Sequence, residues 1–256
     1  MPGTVQSVER AAAMLQLLAA EDEPLGLVQI ADALGLAKGT AHGLLRTLAE
    51  VGFVDQEPGS NRYRVAPDLF RLGAPKLDLN EIRARALNWT DALAARTGES
   101  AWLAAFRDRH AVIAHHVFRA GGGSQVLATG TEIPLHATAL GKVLLAFDPG
   151  AARSQVGVTP DAFTRTTVID RTGVLRMLAG VRDQGWAAEV DEYRPGTAGI
   201  ASPVRERGGY VVASVGITGA VDRICDERSR PRGALVTEVQ RAARSISREF
   251  GHGRTE

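Results

Sequence analysis

Residues 25–52, LGLVQIADALGLAKGTAHGLLRTLAEVG, decide the fold of the first part of the chain. Apolar residues recur three and four apart on either side of Gly35, which predicts two amphipathic helices, near 27–34 and 39–51. Gly35 stands where the end of a helix favours a left-handed residue, so a tight turn is expected between the two helices. This order of helix, turn and helix predicts a helix-turn-helix.

Flanking segments extend the motif on both sides. Helical spacing over residues 8–20 predicts a preceding helix, with Ser7 as its N-cap. Short strand-like runs at 53–55 and 62–65 enclose a turn rich in Pro, Gly and Asn, which predicts a β-hairpin. A hairpin directly after a helix-turn-helix is the arrangement of a winged helix-turn-helix, a DNA-binding module.

The predicted third helix and hairpin carry the candidate DNA contacts. Opposite its apolar stripe, the helix presents a polar face whose N-terminal half would enter the major groove, and two glycines there allow close backbone approach. The hairpin side chains are expected to contact phosphate or the minor groove. An ordinary solvated helix face is the alternative interpretation. The candidate DNA-binding residues are Lys38, Gly39, Thr40, His42, Gly43, Arg46, Asn61, Arg62 and Arg64.

Charge distribution is informative where total charge is not. The formal net charge is +1, and residues 1–75 hold six Lys/Arg against nine Asp/Glu, a net of −3. Residues 36–49 and 59–65, however, contain basic side chains and no acidic one. DNA binding requires one positive face rather than a positive total, so these two basic segments are compatible with it.

The second part of the chain predicts an α+β domain after a linker helix. Residues 77–97 have helical spacing, end at Gly98, and form a helix that could also pair with its copy in a dimer. Strand-like runs then alternate with helical ones. The predicted elements include strands near 101–106, 111–118 and 125–128 and a helix over 137–147. The expected domains are 1–75, the linker 76–98 and 99–256.

Composition excludes several classes of protein. Hydrophobic residues make up 45% of the chain and charged residues 23%, as in a folded soluble protein. The single cysteine, Cys225, rules out a disulfide framework and a cysteine zinc site. No signal-peptide pattern is visible, and no apolar run approaches the roughly 20 residues needed to span a bilayer. We expect a cytoplasmic protein without membrane contact.

The sequence shows no catalytic motif, so neither an enzyme nor a cofactor is expected. The run 140–143, LGKV, lacks the Ser/Thr that follows a P-loop lysine, and no G-x-S-x-G or dinucleotide fingerprint occurs. His115 and His116 are adjacent, and neighbours on a strand point to opposite faces, so a shared metal is not expected. A metabolite-binding enzyme with an accessory DNA module stays as the alternative from another class.

Six runs resemble the IclR family of bacterial regulators across essentially the whole chain. The resemblance implies a winged helix-turn-helix, a linker helix and a GAF/PAS-like α/β effector-binding domain. It also implies a homodimer or dimer of dimers that binds double-stranded operator DNA. The runs are VQSVERAAAMLQLLA (5–19), LGLVQIADALGLAKGTAHGLLRTLAEVGFV (25–54), NRYRVAPDLFRLG (61–73), IPLHATALGKVLLAF (133–147), GWAAEVDEYRPGTAGIASPV (185–204) and VVASVGITGAVDRI (211–224).

Two departures from the family pattern lie in the first domain. Members usually have a hydroxyl residue where Gly26 stands, at the N-cap of the second helix, and often an Arg where Gly43 stands. Glycine is tolerated as an N-cap, so the first change is mild. The second removes a phosphate or base contact, and the operator sequence of other members therefore does not carry over.

The effector site is predicted at the start of the 137–147 helix. Its first backbone N–H groups are expected to be unpaired and to carry the positive end of the helix dipole, which suits a small anion. Where some members have Cys and Ser, this chain has Gly199 and Gly216, which implies a ligand other than a short oxo acid. Glu189 would accept hydrogen bonds from ligand hydroxyls. The resemblance implies effector contacts at Ala139, Leu140, Glu189, Gly199, Gly216 and Thr218, and His136 is a further candidate.

The resemblance implies a repressor of a carbon-catabolism operon, with glycerol the first candidate. A phosphorylated polyol such as glycerol 3-phosphate, which pairs an anionic end with hydroxyl groups, would relieve repression. An activator, or a regulator of aromatic-acid or other catabolism with a different small effector, is the alternative.

Overall fold

The computed structural model describes residues 5–21, 23–57, 59–66, 69, 77–119, 121 and 126–253. The chain divides into two compact units, Met1–Lys76 and Leu77–Glu256. The expected boundary between residues 75 and 76 lies outside the described residues.

Over its described residues, the first unit contains three named helices and a small sheet. Met14 of the first helix, Ile30 of the second and Leu45 of the third are fully buried in one core. Each such side chain contributes about 1.5–3 kcal/mol by leaving water. The three strands form an antiparallel sheet in the order β1-β3-β2. The elements are α1 (Gln6–Ala20), β1 (Leu25–Gly26), α2 (Leu27–Ala33), α3 (Lys38–Glu50), β2 (Val54–Gln56) and β3 (Arg62–Val65).

The start of α1 corrects one prediction. Ser7, the expected N-cap, lies inside the helix, and Val5 occupies the N-cap position without a side-chain hydrogen bond. The carbonyl of Val5 accepts the N–H groups of Val8 and Glu9 at 2.9 and 3.2 Å. Backbone hydrogen bonding therefore begins the helix earlier than the capping preference of serine suggests.

In the part of the second unit that the structure describes, six strands form an antiparallel sheet with helices on both faces. Its strand order is β6-β5-β4-β9-β8-β7. The elements, in chain order, are α4 (Leu79–Thr97), β4 (Ser100–Arg107), β5 (His110–Val117), β6 (Glu132–Ile133), α5 (Ala139–Phe147), α6 (Pro149–Ser154), α7 (Arg171–Gln184), β7 (Ala187–Val190), β8 (Thr197–Arg205), β9 (Val211–Ala220), α8 (Val221–Ile224) and α9 (Gly233–Glu249).

Alternation along the strands produces two separate cores. One face of the sheet packs against α4 and α9, through residues such as Ile200 and Ile217. The other face packs against α5 and α7, through residues such as Ala104 and Ala201. We call this second surface the α5 face. The helix expected to link the domains is α4, and it buries Ile82 against the first of these cores.

Two element predictions in this unit need correction. The strand expected at 125–128 does not form over residues 126–128, and Gln125 lies outside the described residues. The sheet instead continues at β6, which pairs with β5. The helix expected from Ala137 begins at Ala139, because Thr138 has extended backbone angles and acts as its N-cap.

Candidate nucleic-acid interface and ligand pocket

The turn between α2 and α3 fixes the orientation of α3. Gly35 adopts a left-handed conformation with φ of +61°, and the Leu36 N–H donates to the Ala31 carbonyl at 2.8 Å. Three side chains of α3 (Ala41, Leu45 and Leu48) are buried. All six residues predicted on the outer side of the helix are exposed: Lys38, Gly39, Thr40, His42, Gly43 and Arg46.

Packing within the described residues does not require either outer glycine of α3. A Cβ atom on Gly39 or Gly43 would meet no atom within 4 Å, and neither residue has a positive φ. Glycine costs about 0.5–1 kcal/mol relative to alanine inside a helix. The two positions therefore leave room for a partner that approaches the helix backbone closely.

The hairpin presents its three predicted contacts to solvent. Tyr63 is buried in the core of the unit, and alternation exposes Arg62 and Arg64 on either side of it. Asn61 is exposed, and its carbonyl accepts the Leu27 N–H at 3.3 Å. The outward-facing arginines thus lie on β3, the central strand, which pairs with β1 on one edge and β2 on the other.

Both regions contain an arginine with an existing partner. Arg46 lies 3.6 Å from Glu50, and the two side chains are 72% and 67% exposed. Arg62 donates from Nη1 to the Pro24 carbonyl at 3.2 Å. Exposed interactions of this kind contribute little, so either guanidinium can exchange its partner for a phosphate at small cost.

Four of the predicted effector residues meet on the α5 face. Glu189 of β7 is in register with Gly199 of β8, which is in register with Thr218 of β9. A Cβ atom on Gly199 would lie 3.5 Å from both Ala139 Cβ and Thr218 Oγ1. The start of α5 therefore lies directly over these strands.

Close packing of the strands requires a glycine at position 216. Gly216 is in register with Ala201, and this pair lies two residues along the strands from the pair of Gly199 and Thr218. A Cβ atom there would clash with the Ile200 carbonyl and approach Ala201 Cβ to 2.9 Å. The strands approach each other so closely that only glycine fits, whatever occupies the pocket.

At the start of α5, two backbone N–H groups are free within the described part of the chain and a third is hydrogen-bonded. The Gly141 N–H donates to Thr138 Oγ1 at 3.0 Å, so the expectation that all the first N–H groups are unpaired is wrong for this residue. The N–H groups of Ala139 and Leu140 have no acceptor among the residues the structure describes. These are the two residues at which an anion was expected.

Glu189 lies in a buried charged cluster. Its side chain is 4% exposed, and burial raises the pKa of its carboxyl to about 7. The Glu192 N–H, 3.2 Å from Oε2, and the charge of Lys142 oppose that rise. Lys142 is itself buried and donates from Nζ to Glu192 Oε1 at 2.5 Å and to the Ala188 carbonyl at 3.0 Å.

Lys142 and Glu192 were missed by the sequence analysis. Lys142 was considered only as a P-loop lysine, although a lysine within the otherwise apolar run ALGKVLLAF (139–147) is a signal for a buried ion pair. Thr164, Thr166 and Thr167 hold the neighbouring segment. Their hydroxyls donate to the carbonyls of residues 191 and 192 at 2.5 to 2.6 Å.

His136 stands apart from the other predicted contacts. Its Nε2 lies 2.9 Å from the Asp161 carbonyl oxygen, and its ring is 5.8 Å from that of Phe163. It lines a cavity of about 330 Å³ together with Arg109, Phe163 and Tyr193. None of the other six predicted effector residues lines this cavity.

No metal site is apparent among the described residues, since no three His, Cys, Asp or Glu side chains there come together to hold an ion. None of the helices in the described ranges has the length and apolar character to cross a membrane. Cys225 is buried, and burial raises the pKa of its thiol.

Comparisons with known proteins agree with this arrangement. The family described as "IclR helix-turn-helix domain" matches residues 7–58, and "Bacterial transcriptional regulator IclR C-terminal" matches residues 75–248. The chain is 49% identical to the glycerol operon regulatory protein of Streptomyces coelicolor and 46% identical to that of Streptomyces griseus. Each alignment covers 99% of this chain and 100% of the relative. The crystal structure of Thermotoga maritima IclR superposes with a TM-score of 0.61 at 24% identity, covering 96% of this chain and 99% of that one.

Proposed function

This chain belongs to the IclR family of bacterial transcriptional regulators, and we propose that it controls an operon for glycerol catabolism. It is a DNA-binding regulator with a second domain for a small effector. The family membership and the named relatives decide against the enzyme alternative. The observation that carries the proposal is the 49% identity, over the full length of both chains, to a regulator named for the glycerol operon.

The operator contact proposed here uses α3 and the hairpin. The exposed half of α3 from Lys38 to Arg46 would lie in the major groove, with Thr40 and His42 at base edges. Arg62 and Arg64 of the hairpin would bind phosphates beside it, and Asn61 would contribute at the tip. The open space around Gly39 and Gly43 supports close approach of the helix to DNA.

The protein would act in the cytoplasm as a homodimer or dimer of dimers. Two copies of α3 would occupy successive major grooves of a pseudopalindromic operator, about one helical turn apart. Sedimentation of the 27.2 kDa chain at micromolar concentration should show a dimer or larger. A purely monomeric species would contradict this arrangement.

The effector proposed for the α5 face is glycerol 3-phosphate, as an inducer that relieves repression. The free N–H groups of Ala139 and Leu140 suit its phosphate, because the start of a helix attracts negative charge. Glu189 and Thr218 offer partners for its hydroxyl groups. Binding would change operator affinity by a coupling free energy of about 1–3 kcal/mol.

Thermal shift of the full-length protein tests the effector. At 100 times its dissociation constant, glycerol 3-phosphate should stabilise the native state by about 2.7 kcal/mol. Glycerol should bind far more weakly, because it brings no charge to the helix terminus. Equal shifts with both compounds would contradict an anion site. A shift with 4-hydroxybenzoate and none with glycerol 3-phosphate would favour a regulator of aromatic-acid catabolism.

A further inference from the structure

Two aromatic rings, those of Trp102 and His116, stack on the α5 face. Trp102 of β4 is in register with His116 of β5, and their rings stack with centroids 4.0 Å apart and planes inclined by 23°. The neighbouring His115 points to the opposite face, where its Nε2 lies 3.5 Å from Asp91 Oδ1. Of the two adjacent histidines, therefore, only His116 lies beside Trp102.

The hydrogen bond to His116 determines which of its nitrogens carries the proton. The Ala128 N–H donates to His116 Nδ1 at 3.3 Å, so Nδ1 must present a lone pair. Burial and the charge of His115 lower the pKa of His116, which keeps the ring neutral at pH 7. A neutral imidazole with a lone pair on Nδ1 has its hydrogen on Nε2. His116 Nε2 is therefore a donor.

Both rings present a buried donor without an acceptor. Trp102 Nε1 and His116 Nε2 are shielded from solvent, and neither has a hydrogen-bond partner among the described residues. The side chain of His116 is more than nine-tenths buried. An unmet buried donor is destabilising, so such groups usually have a partner that completes them. Two unmet donors on stacked rings call for an occupant with several acceptor atoms.

The sheet register places these donors beside the proposed effector site. Trp102 of β4 is in register with Gly216 of β9. Gly216 lies two residues before Thr218 on the same strand. Trp102 also packs against the core cluster that contains Ala139 and Leu140. The pair thus extends the same face by two strands beyond Glu189, Gly199 and Thr218.

We propose that Trp102 Nε1–H and His116 Nε2–H donate hydrogen bonds to the anionic group of the effector. Carboxylate and phosphate oxygens carry lone pairs and no proton, so they can satisfy both donors at once, whereas a hydroxyl brings a proton of its own. The proposal rests on the assignment of the α5 face as the effector site. It adds two side chains to that site and limits its ligands to anions with at least two acceptor atoms.

The test uses the full-length protein with 5-fluorotryptophan at positions 89, 102 and 186. Three ¹⁹F signals are assigned with single Trp→Phe variants, and five probes are added: glycerol 3-phosphate, inorganic phosphate, pyruvate, 4-hydroxybenzoate and glycerol. Calorimetry on unlabelled protein gives the affinities. The matched control is Trp186→Phe, because Trp186 packs against the core on the other face of the sheet.

We expect at least one anion to shift the ¹⁹F signal of Trp102 more than it shifts the signals of Trp89 and Trp186. Glycerol should leave the Trp102 signal unchanged. Trp102→Phe keeps an aromatic ring and removes the N–H, so it should weaken binding of that anion at least about tenfold. His116→Phe should have a similar effect, and Trp186→Phe should change affinity less than about twofold. Melting curves establish that each variant is folded.

The outcomes separate this inference from the proposed function. If pyruvate or 4-hydroxybenzoate shifts the Trp102 signal and glycerol 3-phosphate does not, glycerol 3-phosphate is not the effector. The proposed hydrogen bonds from Trp102 and His116 to an anion are then still supported. If glycerol 3-phosphate binds while the Trp102 signal and the affinity of Trp102→Phe stay unchanged, the proposed contacts of Trp102 and His116 are refuted. The assignment of glycerol 3-phosphate as the effector is then retained. No response of Trp102 to any anion overturns the inference.

Discussion

At the scale of single residues, Glu189 titrates near neutral pH because it is enclosed by protein. Its pKa rises from the ordinary value of 4.5 to about 7, and burial is the largest cause. The unfolded chain ionises this carboxyl at lower pH than the native protein does. Stability is therefore lost as the pH rises from about 4.5 to about 7, and the loss is then complete.

Replacing Glu189 with Gln should remove this pH-dependent loss. Glutamine stays neutral and can still accept the Glu192 N–H. The stability of Glu189→Gln relative to the natural protein should therefore increase between pH 5 and pH 7 and level off above it. The change should be on the order of 3 kcal/mol, since one pKa unit corresponds to about 1.4 kcal/mol. Denaturant unfolding at four pH values measures it, and a difference that does not vary with pH would contradict the buried, proton-binding carboxyl.

Arg46 and Arg62 should contribute to DNA binding and little to stability. Arg46→Ala and Arg62→Ala remove exposed side chains whose present partners are Glu50 and the Pro24 carbonyl. We expect each to weaken operator binding and to reduce the salt dependence by about one unit of slope for each phosphate that the arginine no longer neutralises. Fluorescence anisotropy at several salt concentrations gives both quantities. Arg176→Ala, which removes the same charge from the exposed side of α7, is the control.

Unchanged operator affinity in both arginine variants, with Arg176→Ala behaving the same way, would show that the proposed face does not contact DNA. Melting temperatures should stay close to that of the natural protein. A small decrease is expected for Arg62→Ala, because alanine cannot donate the hydrogen bond to the Pro24 carbonyl.

At the scale of elements, the outer glycines of α3 separate helix stability from DNA recognition. A methyl group at Gly43 meets no atom within 4 Å, so Gly43→Ala should stabilise the first unit by about 0.5–1 kcal/mol. The same methyl group should hinder close approach to DNA and weaken operator binding. Thermal unfolding and anisotropy measure the two effects.

Gly180 offers a matched control in the other unit. It lies inside α7, and a Cβ atom there also meets nothing within 4 Å. Gly180→Ala should therefore stabilise its helix by a similar amount and leave operator affinity unchanged. If Gly43→Ala binds the operator as tightly as Gly180→Ala does, the α3 backbone does not lie close to DNA.

Local patterns predicted the elements that bury a continuous apolar stripe. The helix-turn-helix followed from the spacing of residues such as Ile30 and Leu45 and from the left-handed Gly35. Elements whose position depends on a distant partner were not predictable in this way. The two-residue β6 is defined by pairing with β5, and β1 by pairing with β3.

The candidate site was predictable in position but not in its electrostatics. Resemblance placed Glu189, Gly199 and Thr218 in the effector site, and the register brings them together. Burial decides the proton affinity of Glu189, and a hydrogen bond from Ala128 decides the proton position on His116. Both depend on segments distant in sequence, so a linear pattern carries neither. Gly216 stays a predicted effector contact, and close strand packing also requires glycine at this position.

At the scale of the whole molecule, regulation requires two units with different partners. Unit Met1–Lys76 carries the exposed basic side chains of α3 and β3, and unit Leu77–Glu256 carries the buried side chains of Glu189 and Lys142. A ligand regulates DNA binding only if it binds the two functional states with different affinity. Linkage then requires that operator DNA weaken effector binding by the same factor by which the effector weakens operator binding.

The most direct test of the central claim is the affinity of the full-length protein for DNA upstream of the glycerol operon in its own genome. Anisotropy titrations should use this duplex and a shuffled duplex of the same composition, with and without glycerol 3-phosphate or glycerol. We predict a dissociation constant on the order of 10 nM for the natural sequence and far weaker binding to the shuffled one. Glycerol 3-phosphate should weaken operator binding about 5- to 150-fold, and glycerol should not. Equal affinity for both duplexes, or operator binding that glycerol 3-phosphate leaves unchanged, would contradict a glycerol-operon repressor relieved by this effector.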